Sequence, residues 1–561
     1  MRFLVSVCLS VIPSVVLLAA QSNPADHGNQ PSELRYTQSL PAGVPAQKPP
    51  VSFKSVKTHS SGGVNTVAVA VADLNGDGYP DIVLASECQA PVPNGDCNYA
   101  SGEVSVLLGK GDGTFELNAV YNSGGDEAVS VSIGDVNGDG IPDIIAVSLC
   151  VSGSNCESGN GTVGVLLGNG DGTFQPVVTY NSGGYLARSV AIGDVNGDGY
   201  PDLVVANECQ SGPGTCNGEV SVLLGNGNGT FQAPVPYSPG GAPTESVAIG
   251  DLSGDGIQDV VAINQNGIGV LIGNGDGTFQ APVIYGSGGY DPVSVAIGDV
   301  NGDGVPDLVV ANYCLTLSDC QNQGDGAVGV LLGNGNGTFQ SPVSYDSGGW
   351  AEWAEFSEGI SVTIGDVNGD GVSDLIVANS CGSGEEPRSC KVGIVGVLLG
   401  NGDGTFQSPV PFSSGASHGQ AVAVADVNAD GRPDVLVASL CNTWRCSGVD
   451  WTGGTVGVLL NDFTVKTSIE VNSSLNPSQV NQSVTFTATI TSSSSVPNGS
   501  TVTFYNGATE IGAGTTTTGM ATLTTSFSTA GKYTIKASYP GDAFHNASSG
   551  TVKQVVNKVK N

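Results

Sequence analysis

Charge is scarce in this chain of 561 residues, at 12 % of positions, and positive charge is scarcer still, with 17 Lys and Arg against 51 Asp and Glu. A net charge of −34 repels phosphate backbones, which excludes nucleic acid as a partner. Histidine occurs four times, and His27, His59 and His545 are scattered with no partner pattern. Long apolar runs are absent after residue 20, so no later segment suits a membrane span. The one such run, MRFLVSVCLSVIPSVVLLAA at residues 1–20, has a single Arg, is broken by Pro13 and ends in small residues. It reads as a secretory signal peptide, with Cys8 too early for a lipoprotein cleavage site. Residues 21–50 are polar and proline-rich, the composition of an exposed linker.

What the chain has is glycine, 84 of them, and a nine-residue stretch written seven times. DLNGDGYPD begins at Asp73, and variants begin at Asp135, Asp194, Asp251, Asp299, Asp366 and Asp426. Each offers side-chain oxygens at positions one, three, five and nine, a backbone carbonyl at position seven, and a glycine at position six for the tight turn. Hard cations such as calcium take six to eight such oxygens. The candidate ligands are Asp73, Asn75, Asp77 and Asp81 with the carbonyl of Tyr79, then Asp135, Asn137, Asp139 and Asp143 with Ile141. The third set is Asp194, Asn196, Asp198 and Asp202 with Tyr200, and the fourth is Asp251, Ser253, Asp255 and Asp259 with Ile257, where Ser253 replaces the usual Asn. Asp299, Asn301, Asp303 and Asp307 with Val305 form the fifth, and Asp366, Asn368, Asp370 and Asp374 with Val372 the sixth. Asp426, Asn428, Asp430 and Asp434 with Arg432 form the seventh. Asp/Asn/Gly-rich β-turns would also use these residues, but a turn alone does not need three carboxylates crowded together. Like charges that close oppose ionisation unless a cation sits between them, so up to seven calcium ions are expected.

The loop opens like an EF-hand, yet Leu84 stands where that loop needs a Glu, and the flanks VAVAVAD and DIVLAS are short and apolar. Those flanks are strands. The loops recur every 48 to 67 residues, and one unit reads as four strands: SVAIGD, the loop, DLVVAN, then GEVSVLLG, a glycine turn and TFQAPVPY. Four short strands per repeat fit a β-propeller blade. The turn returns six times, ending at Phe115, Phe174, Phe231, Phe279, Phe339 and Phe406, and its Asp reads as a turn residue. The seventh unit lacks its last strand, whereas FKSVKTHSSGG at Phe53 aligns without gaps on FQPVVTYNSGG at Phe174. The expected fold is therefore all-β, a seven-bladed propeller over residues 51–463 closed by an N-terminal strand, which leaves no sheet edge open.

Twelve cysteines keep the same register, each pair lying between the second and third strands: Cys88/Cys97, Cys150/Cys156, Cys209/Cys216, Cys314/Cys320, Cys381/Cys390 and Cys441/Cys446. The fourth repeat has NQNG there and neither cysteine, so both members vanish together, as disulfide partners do. Closing loops this short stabilises by roughly 2 to 3 kcal/mol each and requires an oxidising compartment. Zinc is the rival, but these loops lack histidine and knuckle spacing.

The strands, DVNGDGxPD loops and GNGDGTF turns resemble the FG-GAP repeats of the VCBS type, found in bacterial secreted proteins and related to the propeller of integrin α subunits. The resemblance covers residues 51–463 and implies a seven-bladed propeller with calcium in the loops named above. Residues 466–558 change character: serine and threonine abound and cysteine is gone. The strands TSIEVNSS, SVTFTATIT, STVTFYNG, ATLTTSFS and KYTIKASYPGD alternate as in a two-sheet sandwich. These segments resemble bacterial Ig-like domains, which act as spacers or adhesive stalks.

Catalytic patterns are weak. Gly415-Ala416-Ser417-His418-Gly419 matches a nucleophile elbow, which needs a strand-to-helix turn; here it falls in the link between blades. Gly159, Gly161 and Gly164, and likewise Gly324, Gly326 and Gly329, match a dinucleotide fingerprint, but a strand follows each, not a helix. All four tryptophans belong to the side of the Cys loops: Trp350 and Trp353 before the sixth blade, Trp444 and Trp451 around the seventh Cys loop. Aromatics beside Glu352, Glu355, Glu358 and Asp450 mark a candidate ligand surface, with packing against each other or the Ig-like domain as the alternative. The expectation is a non-enzymatic module, secreted or at the cell surface, binding an extracellular protein or glycan. The alternative is a carbohydrate-active enzyme or lectin on the same scaffold.

Overall fold

The computed structural model describes residues 51–89, 101–153, 156, 159–210, 216–316, 318, 320, 325–350, 360–382, 392–441, 453–492 and 496–559. The expected signal peptide and linker, with Cys8, lie outside them. Every named element is a strand, and Ser318 and Cys320 sit in a single helical turn.

Seven four-stranded antiparallel blades follow one another, the first six with their strands in chain order. The fourth is the simplest: Thr244–Gly250, Asp259–Asn264, Gly267–Leu271 and Val283–Tyr285. In the first three blades the strands Phe115–Gly134 and Val178–Gly193 run from the outer edge of one blade into the inner position of the next, so those blades share one ten-stranded sheet. The seventh blade consists of Ser417–Ala425, Asp434–Cys441 and Thr455–Leu459, and its fourth strand is Lys57–Ser60 from the other end of the propeller. Lys57 faces Val458 and Ser60 faces Thr455 in antiparallel register, and Phe53 bridges Asn461. The innermost strands touch in cyclic order, with Gly63–Ala72 of the first blade against Ser417–Ala425 of the seventh.

Burial explains the sequence of the second strands. In Asp374–Asn379 (DLIVAN) all six residues are buried, because each face meets a neighbouring blade. The seam between the seventh and first blades has such a core, with Val69, Ile82 and Leu84 packed on Ala423, Leu436 and Val458. At the rim, a ring from the last strand of one blade meets the Phe that ends the glycine turn in the next, or in the seventh blade its counterpart Phe53. The pairs are Tyr121–Phe174, Tyr180–Phe231, Tyr237–Phe279, Tyr285–Phe339, Tyr345–Phe406, Phe412–Phe53 and His59–Phe115, with centroids 4.9–5.8 Å apart and planes at 83–87°. These seven edge-to-face clasps join every blade to the next, and the two at the seam use the N-terminal strand.

The Ig-like domain has two sheets: Ser468–Ser473, Ser483–Thr491 and Met520–Ser526 in one, and Ser478–Gln479, Ser548–Asn557, Gly531–Tyr539, Thr501–Asn506 and Thr509–Thr515 in the other. The strands at Ser478–Gln479, Thr509–Thr515 and Ser548–Asn557 go beyond the five expected from sequence. Its own core centres on Phe486, Phe504 and Tyr539.

Candidate metal loops and the opposite face of the ring

The seven nonapeptides are loops between the first and second strands of their blades, and they share one hydrogen-bond plan. Asp73 accepts the N–H of Gly76 (2.8 Å) and Asp77 (3.2 Å) on Oδ1 and of Gly78 (2.9 Å) on Oδ2. Asp77 Oδ1 accepts the N–H of Tyr79, and Asn75 Oδ1 that of Asp77. The chain thus curls around its first carboxylate, which takes φ of +73° at Gly76 and +87° at Gly78, a region open to glycine without strain. In the first five loops position five is exposed, while positions one and three are half-buried.

Position nine plays a second part that the spacing does not reveal. Asp81 Oδ2 accepts the N–H of Leu74, the loop's second residue, and Oδ1 that of Gly109 at the head of the next hairpin. All seven loops repeat both bonds at 2.7–3.1 Å, through Asp143, Asp202, Asp259, Asp307, Asp374 and Asp434. This carboxylate is a strut tying the loop to its own blade, although each oxygen keeps a lone pair. Among the described residues no loop brings three carboxylates within 4.8 Å of one another; the only His/Cys/Asp/Glu group that close is Glu208, Cys209 and Cys216, whose cysteines form a disulfide. Burial pushes the position-nine acids up, to about 6 at Asp81, Asp143 and Asp202 and about 7 at Asp374 and Asp434, with the neighbouring loop carboxylates adding to the rise.

The donor set is oxygen only, carboxylate-rich and repeated, which fits a hard divalent cation. In the fourth loop Ser253 Oγ is buried without a hydrogen-bond partner, an oxygen available to an ion. The loops also touch the neighbouring blade: Gly229, Gly277 and Gly337 of the glycine turns donate to the position-two carbonyls of Val136, Val195 and Leu252, and Gly113 to Val427 across the seam. In the glycine turns the Asp is a turn residue as expected, Asp112 Oδ1 accepting from the N–H and hydroxyl of Thr114.

The cysteines lie at the far end of the second strands. Asp143–Cys150 starts at a candidate metal loop and ends at Cys150, which is bonded to Cys156. Cys209–Cys216 and Cys314–Cys320 are likewise bridged within their blades. Cys88, Cys381 and Cys441 are disulfide-bonded too, while their expected partners Cys97, Cys390 and Cys446 lie outside the described residues. At this end the backbone of Gly349–Trp350 pairs with Cys381–Gly382. Trp353, Trp444 and Trp451 lie outside the described residues, so the four tryptophans are not shown to converge. Ser417 of the nucleophile-elbow text is a buried strand residue bonded to the Cys441 carbonyl at 3.2 Å, and Gly161 and Gly164 lie inside the strand Asn160–Leu166.

The FG-GAP-like repeat family matches residues 96–146, 149–205, 211–262, 251–310, 316–377 and 378–437, and the FG-GAP repeat matches 65–87 and 292–331. The bacterial Ig-like domain (group 3) matches 471–557. No curated protein matches the chain. Among solved structures, an Agrocybe aegerita lectin described as recognising non-reducing terminal N-acetylglucosamine is 21 % identical, covering 71 % of this chain and 86 % of its own at a TM-score of 0.39. The V. cholerae biofilm matrix protein Bap1 is 14 % identical over 70 % of this chain and 76 % of its own, with a TM-score of 0.26.

Proposed function

The chain belongs to the FG-GAP-like repeat family, and from that premise we propose that it is a secreted, calcium-stabilised module that binds an extracellular protein or glycan. The observation that carries this reading is the inequality of the two ends of the second strands. One end holds seven near-identical oxygen-lined loops that knit blade to blade. The other holds loops whose sequences differ in every blade and six of which start at a disulfide-bonded cysteine. A rigid frame presenting variable loops is how recognition surfaces are built. Calcium would be held by the side chains at positions one, three, five and nine of the loops with the position-seven carbonyl, supplying the positive charge these acids lack. The disulfides accord with an oxidising, extracellular setting, and among the described residues no helix is long and apolar enough to cross a membrane.

Trp350, Trp353, Trp444 and Trp451 are the proposed anchors on the variable face. Glycan and extracellular-protein arrays probed with the full chain, with and without calcium, test the function. Replacing Trp353 and Trp444 by Ala should abolish the binding found there and leave the calcium-dependent melt unchanged. Retained binding would move the site elsewhere, and an array blank in both conditions would argue against a binding module.

A further inference from the structure

The seventh loop departs from the plan at three places. Its fourth residue is Ala429, held at φ +56° where six loops have glycine. Asn428 turns its amide nitrogen to Asp434 Oδ2 at 3.0 Å, whereas Asn75, Asn137, Asn196, Asn301 and Asn368 accept the position-five N–H. Position seven, apolar or tyrosine in the other loops, is Arg432, and its guanidinium meets Asp430 Oδ2 at 2.5 Å with both side chains mostly buried. That is the position-five oxygen not engaged by the backbone, since Oδ1 takes the Arg432 N–H.

The reason lies in the way the ring closes. In other blades the position-seven side chain covers the glycine turn of its own blade, as Tyr79 covers Gly111 and Tyr200 covers Gly227. The seventh blade has no such turn, because its fourth strand comes from the N-terminus and the chain after Thr455–Leu459 leads directly into the Ig-like domain. Arg432 reaches that domain, donating to the Ala543 carbonyl at 3.0 Å. Beside it the ring of Phe544 occupies the space where a Cβ on Gly369 of the sixth loop would stand, at 2.1 Å, while the equivalent Gly76, Gly138 and Gly302 face open space. Asn461 donates to the Val367 carbonyl of the sixth loop (2.7 Å) and to Pro433 of the seventh (3.0 Å).

We propose that the seventh loop takes no divalent ion: Arg432 serves there as a built-in cation and uses the loop to dock the Ig-like domain on the ring. A guanidinium is always charged, so it satisfies Asp430 and repels a dication at the same place. The inference rests on the calcium reading of the other loops, and the test separates the two.

Bound calcium per chain, measured by native mass spectrometry on the full protein, should rise by one ion in both Arg432→Val and Arg432→Gln. It should stay at the wild-type count in Arg432→Lys, which keeps the charge. Val stands at this position in the fifth and sixth loops, and Gln retains the reach should Val impair folding. Equal non-zero counts in wild type and both neutral variants overturn the inference alone; no bound ion in any form overturns the calcium reading with it. Small-angle scattering reads the docking: the maximum dimension should increase in Arg432→Gln relative to wild type and Arg432→Lys, and an unchanged profile overturns the docking role.

Discussion

Propeller and Ig-like domain are both antiparallel sheet, but they bury strands differently. In Asp374–Asn379 every residue is buried, whereas Ser483–Thr491 alternates buried Val484, Phe486, Ala488 and Ile490 with more accessible threonines. A blade strand lies between two other blades, so both faces are dry and DLIVAN reads as an apolar run. A sandwich strand has one wet face, so SVTFTATIT alternates. The sandwich completes its core by itself; a blade completes its core only through its neighbours. The propeller should therefore respond as one body to damage at its seam, its loops or its buried charges, and the Ig-like domain should not.

The largest effect is expected from removing residues 51–60. This deletes the fourth strand of the seventh blade and the N-terminal halves of the Phe412–Phe53 and His59–Phe115 clasps. Calorimetry should show loss of the propeller transition with the Ig-like transition retained; loss of both would mean the sandwich depends on the ring. Next comes chelation. Under mass action each calcium site at a hundredfold excess of ligand over Kd stabilises by about 2.7 kcal/mol, so EDTA should lower the propeller midpoint steeply and leave the other transition in place. An unshifted propeller midpoint would refute the calcium reading.

A buried acid gives a smaller and pH-dependent effect. Glu103 is 1 % exposed, its Oε2 has no hydrogen-bond partner, and burial raises it from 4.5 to about 7. Because the folded value lies above the unfolded one, folding favours the protonated form: the penalty is absent below pH 4.5 and grows as pH rises towards 7. Glu103→Gln should match wild type at pH 4 and gain about 3 kcal/mol at pH 8, read as a denaturant midpoint of the propeller. An equal gain at both pH values would place the effect in packing. The smallest change is Tyr285→Leu, which removes one clasp and should cost about 1 kcal/mol, again in the propeller transition only; no measurable loss would make the clasps passive contacts.

Much of this architecture was legible in the sequence because it is periodic. Seven copies of one nonapeptide fix the blade register, and the alignment of Phe53–Gly63 with Phe174–Gly184 points to the seam strand. The clasps also left a trace, since the Tyr of PVxY and the Phe of GTF recur, but their partners lie in the adjacent blade and no local spacing pairs them. Asp81 shows a different limit. Its residue type and position suit a metal ligand, but they do not tell that both oxygens also bond backbone N–H groups, one from a hairpin 28 residues away. Arg432 entered the sequence reading only as a backbone carbonyl of the seventh loop; its side-chain partner at Ala543 lies 111 positions later in the chain, so that contact becomes visible only when the domains are placed side by side.

The seam has a mechanical meaning. The chain enters the ring at Val51 and leaves it at Phe463 side by side, with Lys54 bonded to Leu460, Asp462 to Ser52, and Phe53 opposite Asn461. The two strands are antiparallel, so tension applied to the N-terminal segment and the Ig-like domain pulls at the same end of the pair. Such a load peels hydrogen bonds one at a time instead of shearing them together. The first five blades lie outside the line of force, and the sixth meets it only through side contacts such as Phe53–Phe412 and Asn461–Val367.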